Sequence, residues 1–75
     1  NQYPIVVANI LASALISLVD VLAARVQAGG VIALSGILHH QADEVISVYA
    51  KYFDDLSVQK LDDWVRISGQ RINIR

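Results

Sequence analysis

Apolar and polar positions change rhythm along the chain, and each change marks an element. Ile5–Leu11, Ile-Val-Val-Ala-Asn-Ile-Leu, is an apolar run carrying one amide, Asn9, near its far end. A run this rich in β-branched residues predicts a strand buried on both faces, as in the middle of a parallel sheet. From Ser13 to Ala28 the period becomes helical. Leu15, Leu18, Leu22 and Val26 recur on one side, with Leu11 one turn earlier, and Ser13, Ser17, Asp20 and Gln27 form a narrow polar stripe. Ile16, Val19 and Val21 widen the apolar face, so little of this helix is expected to meet water. Gly29-Gly30 is its expected stop, because glycine takes the left-handed cap conformation without a Cβ penalty. Val31–Leu34 again lacks alternation and predicts a second strand buried on both faces, broken by Ser35-Gly36.

From about His39 to Tyr52 a second helix is expected, with Ala42, Val45, Ile46, Tyr49 and Phe53 inward. Asp43 and Glu44 fall in its first turn, where the helix dipole favours anions. Leu56–Leu61 and Trp64–Ile72 alternate as strands, joined by Asp62-Asp63 in an antiparallel hairpin. In the last strand Val65, Ile67 and Gly69 share one face, and Arg66, Ser68 and Gln70 the other. The element order is β-α-β-α-β-β. It predicts an α/β, three-layer, Rossmann-like half-domain: two parallel strands with a right-handed crossover, then the hairpin. The first strand gains one neighbour from the βαβ unit, and nothing in the chain supplies another. The expectation is that the sheet continues beyond this chain, or that Ile5–Ile10 pairs with another chain.

Composition narrows this picture. Seventy-five residues form one small domain, and a domain of that size buries only about 60–65% of its unfolded surface. Yet 55% of the residues are hydrophobic, above the usual ~45–50%, which suits the interior of something larger. The net charge of −1 provides no electrostatic footprint for nucleic acid or anionic lipid. The absence of cysteine removes disulfides and thiolate metal sites, and agrees with a reducing compartment. Residues 5–24 imitate a membrane span, but Asn9 and Asp20 would both need partners in hydrocarbon. No basic residue precedes the run, so a signal peptide fits worse still.

Few residues are placed to carry chemistry. Ligands of open α/β sheets gather beyond the carboxyl ends of the parallel strands, which singles out Asn9; the competing reading is a helix cap. His39 and His40 are adjacent and, on a helix, point about 100° apart, so they read as solvated helix-start residues rather than chelators. Asp54-Asp55 and Asp62-Asp63 could act as acid–base or cation pairs, but read as turn residues. Gly29-Gly30 follows a helix and precedes a strand, the reverse of a phosphate-binding loop. Ser35-Gly36 follows a strand and precedes a helix, so its backbone could line a ligand pocket. Trp64 and the tyrosines read as core and rim packing, and no Ser/His/Asp arrangement is supported.

The strings themselves add a resemblance. Val7-Ala8-Asn9-Ile10-Leu11, the glycine pair, Leu34-Ser35-Gly36-Ile37-Leu38, Gln41-Ala42-Asp43-Glu44-Val45-Ile46, and Trp64-Val65-Arg66 with Gly69 occur in that order. Together they resemble the C-terminal half of the class I catalytic domain of the bacterial ribosomal protein methyltransferases of PrmA type, from Tyr3 to Arg71. Pro4 replaces a usual acidic residue and Ala28 a usual proline; neither touches the expected site. The resemblance implies transfer of methyl groups from S-adenosylmethionine to amino groups of large-subunit ribosomal protein eleven, in the cytoplasm, by an enzyme of which residues 1–75 are one part. It implies that Asn9 is catalytic and also binds the cofactor, with Ile10 and Leu11 as an apolar wall beside it, although Leu11 is favoured as the start of the helix packing. The glycine-rich cofactor loop, the acidic ribose ligand and the substrate-recognition module of that family lie outside this sequence, so the isolated chain is expected to be inactive. The rival reading is a non-enzymatic module that binds a partner strand at its open edge.

Overall fold

In the computed structural model, residues 1–72 are described. The elements are β1 (Tyr3–Asn9), α1 (Ala12–Ser17), α2 (Val19–Arg25), β2 (Val26–Leu38), a 3-10 turn (His39–Gln41), α3 (Ala42–Tyr49), β3 (Phe53–Leu61) and β4 (Trp64–Arg71). They form one four-stranded sheet in the order β1-β2-β4-β3. β1 and β2 are parallel, and β4 is antiparallel to both β2 and β3. The expected βαβ unit and closing hairpin are therefore present, and β4 inserts between β2 and β3.

All the helices lie on one face of the sheet. Ala12, Leu15, Val19 and Ala23 from α1 and α2, with Ala42, Val45 and Tyr49 from α3, close over Ile32, Leu34, Ile37, Val65 and Ile67. The opposite face is open among the described residues. Its cross-strand pairs are Ile5 with Val31 and Val7 with Ala33, and Ile5 and Val7 are 65% and 70% exposed. This corrects the expectation that both parallel strands are buried on both faces, and that the chain makes three layers. β1 is an edge strand, and only its alternate residues Val6 and Ala8 pack inward.

The first helix also differs. It breaks at Leu18 and ends at Arg25 instead of Ala28. The break coincides with an outside donor: the Tyr49 hydroxyl donates to the Leu15 carbonyl at 2.7 Å, and a side chain entering the helical ladder is a recognised cause of such breaks. Residues 26–30 are extended because Val26 pairs with Tyr3 and is fully buried. The glycine pair is then a bulge inside β2, not a helix stop. The register shifts between Tyr3 and Ile5 opposite it, and Gly29 takes φ +79. A Cβ on Gly30 would meet the Pro4 carbonyl oxygen at 2.8 Å.

The second helix begins one turn later than expected, after the 3-10 turn whose entrance is tied by the Leu38 N–H donating to Gln41 Oε1 at 2.9 Å. His39 and His40 are exposed there, as read from sequence. The helix stops at Tyr49, and Phe53 is buried as the first residue of β3. Asp54 and Asp55 sit within β3 instead of a turn. Asp55 takes φ 54 at the bulge between Asp54 and Ser57, a left-handed conformation that Asp tolerates better than most residues. Asp62-Asp63 forms the expected hairpin turn.

Tertiary hydrogen bonds join the helices to one another and to the sheet. Besides Tyr49, the Tyr52 hydroxyl donates to Asp20 at 2.6 Å, and that bond together with the Asp20 charge raises the Tyr52 pKa. Arg71 donates from Nε to the Ala23 carbonyl at 3.1 Å and lies over the Tyr52 ring at 5.2 Å. Among the described residues no helix is long and apolar enough to cross a membrane.

Candidate functional site

The two parallel strands end side by side, Asn9 paired with Ser35. Both side chains point to the open face, since Ala8 and Leu34 point into the core. They terminate the Ile5/Val31 and Val7/Ala33 ladder with a polar pair. Beyond them the chain turns through Ile10 and Leu11 into α1, and β2 bends at its second bulge, between Leu34 and Ile37. Gly36 takes φ +84 in this bulge. Bulges of this kind redirect neighbouring side chains.

A cavity of about 530 Å³ opens at these strand ends. Asn9, Ile10 and Leu11 form one side, Ser35 and Gly36 the floor, and Leu61, Trp64, Val65 and Arg66 the far side across β4. The sequence-derived site residues Asn9 and Ile10 are thus brought together, and Ser35-Gly36 lines the same cavity as its position suggested. Asn9 makes no side-chain hydrogen bond among the described residues, so its carboxamide is free to accept and donate. Of the two expected places for Leu11, the wall and the helix packing, the structure gives the wall: Leu11 is 70% exposed and borders the cavity.

Of the core and rim positions expected for the aromatics, Trp64 takes the rim: it is half exposed, and it lines the cavity, which the sequence reading did not assign to it. A signal did exist. In the alternation of the last strand Trp64 falls with Arg66, Ser68 and Gln70, away from the buried Val65 and Ile67. A large aromatic on the polar side of an alternating strand is a surface made for contact. An aromatic wall beside a free amide suits a cationic or amine-bearing ligand, since ring faces attract cations. Arg66 and Gln59 pair across β4 and β3 on that same face.

A mixed α/β sheet whose two parallel strands end at an apolar and amide-lined cavity belongs to the class of sheet domains that bind ligands at this rim. Within that class, the sequence profile described as ribosomal protein L11 methyltransferase (PrmA) matches residues 1–72. The chain belongs to this family. It is 64% identical over 69 residues to a ribosomal protein L11 methyltransferase of Stenotrophomonas maltophilia, covering 92% of this chain and 22% of that protein. A counterpart of the same name from Xanthomonas euvesicatoria is 59% identical over 71 residues, covering 95% of this chain and 23% of that protein. The chain therefore spans under a quarter of the length of these relatives. The solved structure of a ribosomal protein L11 methylase from Lactobacillus delbrueckii superposes with a TM-score of 0.85 at 24% identity, over 96% of this chain and 38% of that one. That likeness confirms the fold.

Proposed function

We propose that this chain is the C-terminal part of a class I methyltransferase domain that transfers methyl groups from S-adenosylmethionine to amino groups of a large-subunit ribosomal protein. The observation that carries the reading is the free Asn9 carboxamide at the mouth of the strand-end cavity. The names of the relatives support it, and none of them favours a non-enzymatic module. Such an enzyme would work in the cytoplasm, where ribosomal proteins are made.

The residues present fit the methyl-bearing end of the cofactor. Asn9 would hold it by its amide, and Ile10 would face it with apolar surface; Trp64 completes a wall tolerant of a sulfonium. When bound, the cofactor supplies an electrophilic methyl group. The work of this chain is then positional. The Asn9 carbonyl oxygen accepts from the target amine N–H, which aims the nitrogen lone pair at the methyl carbon. Alignment of this kind contributes much of the acceleration of a displacement. Ile10 and Leu11 exclude water from that side. Among the described residues lining the cavity none can take a proton at neutral pH, Arg66 being already protonated, so the amine arrives neutral or loses its proton to groups outside this chain.

The open sheet face and the free edge of β1 are where the larger domain continues. The test is transfer of isotope-labelled methyl from S-adenosylmethionine to ribosomal protein by the full-length protein and by the 75-residue chain. Label on amino groups with the former and none with the latter is expected. Absence of amino-linked label with the former, or transfer by the 75-residue chain alone, overturns the reading.

A further inference from the structure

We infer that Gly36 is a positioning residue for the Asn9 amide, and that its missing side chain is a requirement of the site and not only of the backbone. The inference rests on the function proposed above. A Cβ at Gly36 would lie 2.5 Å from the Ile10 carbonyl oxygen, 3.1 Å from the Ile10 carbonyl carbon and 3.2 Å from Asn9 Oδ1. Three atoms of the Asn9-Ile10 turn therefore converge on the one point that a side chain would fill. The bulge brings the β2 backbone against the end of β1 at the place where Asn9 enters the cavity. Restoring an ordinary contact of about 3.4 Å would push the Ile10 peptide, and Asn9 with it, by close to an ångström. A displacement of that size at a reacting group costs on the order of 10²-fold in rate.

The fold supplies a matched control. Gly29 also has a positive φ, +79 against +84 at Gly36, but nothing stands within 4 Å of its would-be Cβ. Alanine at either position takes a positive φ that L residues rarely adopt, so both variants carry backbone strain. Only at Gly36 does it also press on the site.

The experiment is steady-state methyl transfer by the full-length protein with Gly36→Ala and Gly29→Ala, each normalised to its folded fraction by circular dichroism. Asn9 side-chain amide resonances are followed in parallel. The expected result is a kcat lowered on the order of 10- to 100-fold in Gly36→Ala, with shifted Asn9 side-chain resonances and little change in KM for the ribosomal protein. Gly29→Ala keeps wild-type kcat and resonances. Should Gly36→Ala fail to fold, Gly36→Asn, which tolerates the left-handed backbone, takes its place with the same expectation. Equal kcat in the Gly36 and Gly29 variants overturns the inference while wild-type activity leaves the methyltransferase reading standing. Absence of activity in the wild type overturns that reading first, and unmoved Asn9 resonances in the Gly36 variant then overturn this inference independently.

Discussion

Replacing Tyr49 by phenylalanine isolates one clasp between the helices. The Tyr49 ring is fully buried, lies 5.9 Å from the Phe53 ring, and donates its hydroxyl to the Leu15 carbonyl at 2.7 Å. The phenylalanine ring keeps the shape, so no cavity opens; what is lost is a short buried O–H···O bond whose acceptor has no water to turn to. Such a loss costs about 1–3 kcal/mol. A second, sign-specific consequence follows from the pKa of that hydroxyl, which burial pushes up to about 12. An unfolded tyrosine ionises near its ordinary value of about 10. Between those values the unfolded state binds fewer protons than the folded one, so this contribution to stability is complete below pH 10 and falls as pH rises toward 12. Phenylalanine has no such proton. The stability gap between wild type and Tyr49→Phe is therefore widest at neutral pH and narrows between pH 10 and 12. Equilibrium urea unfolding of the full-length protein at several pH values measures both effects. A gap below about 0.5 kcal/mol at pH 7, well under the cost of an orphaned buried acceptor, or a gap that stays constant to pH 12, would refute the argument.

Other consequences can be measured on the same protein. Ile32 is wholly buried where β2 meets the helices, so Ile32→Ala should lose about 2–5 kcal/mol of stability in urea unfolding. Val7, on the open sheet face, is expected to be covered by the rest of the domain. Val7→Lys should then destabilise the full-length protein strongly, by the desolvation of a charge, and a near-neutral effect in the same assay would show that this face meets water. Gly30→Ala drives a Cβ to 2.8 Å from the Pro4 carbonyl oxygen; the β1–β2 ladder should loosen by about 1–3 kcal/mol, read as faster amide exchange along β1.

Much of the fold was legible because the buried face of each element is written in its spacing. Val65 and Ile67 alternate as the strand core, and Val45 and Tyr49 recur at one helical turn. What was not legible depended on neighbours. Ile5 and Val7 look like central-strand residues, and the hydropathy that marks them cannot say whether the covering layer belongs to the same chain. Gly29-Gly30 reads equally as a helix stop or a strand bulge; the pairing of Val26 with Tyr3, a contact between residues distant in sequence, decides for the bulge. Asp54-Asp55 likewise trades a turn for a bulge once β4 is alongside. Asn9 was legible as a strand-end amide, and its neighbour Ile10 followed. The outward side of Trp64 is legible from its alternation with Arg66 and Ser68, but its place beside Asn9 depends on β4 inserting next to β2, which local patterning does not specify.

The central claim is that Asn9 holds the amine and the methyl donor in line at this rim. Single-turnover methyl transfer by full-length Asn9→Ala, at saturating S-adenosylmethionine and ribosomal protein, tests it most directly. Loss of one positioned hydrogen-bonding group at a reacting centre predicts a rate lower by roughly 10²–10³-fold, with the protein still folded and cofactor affinity reduced. A rate within about twofold of wild type, far inside the loss expected for such a group, would contradict the account.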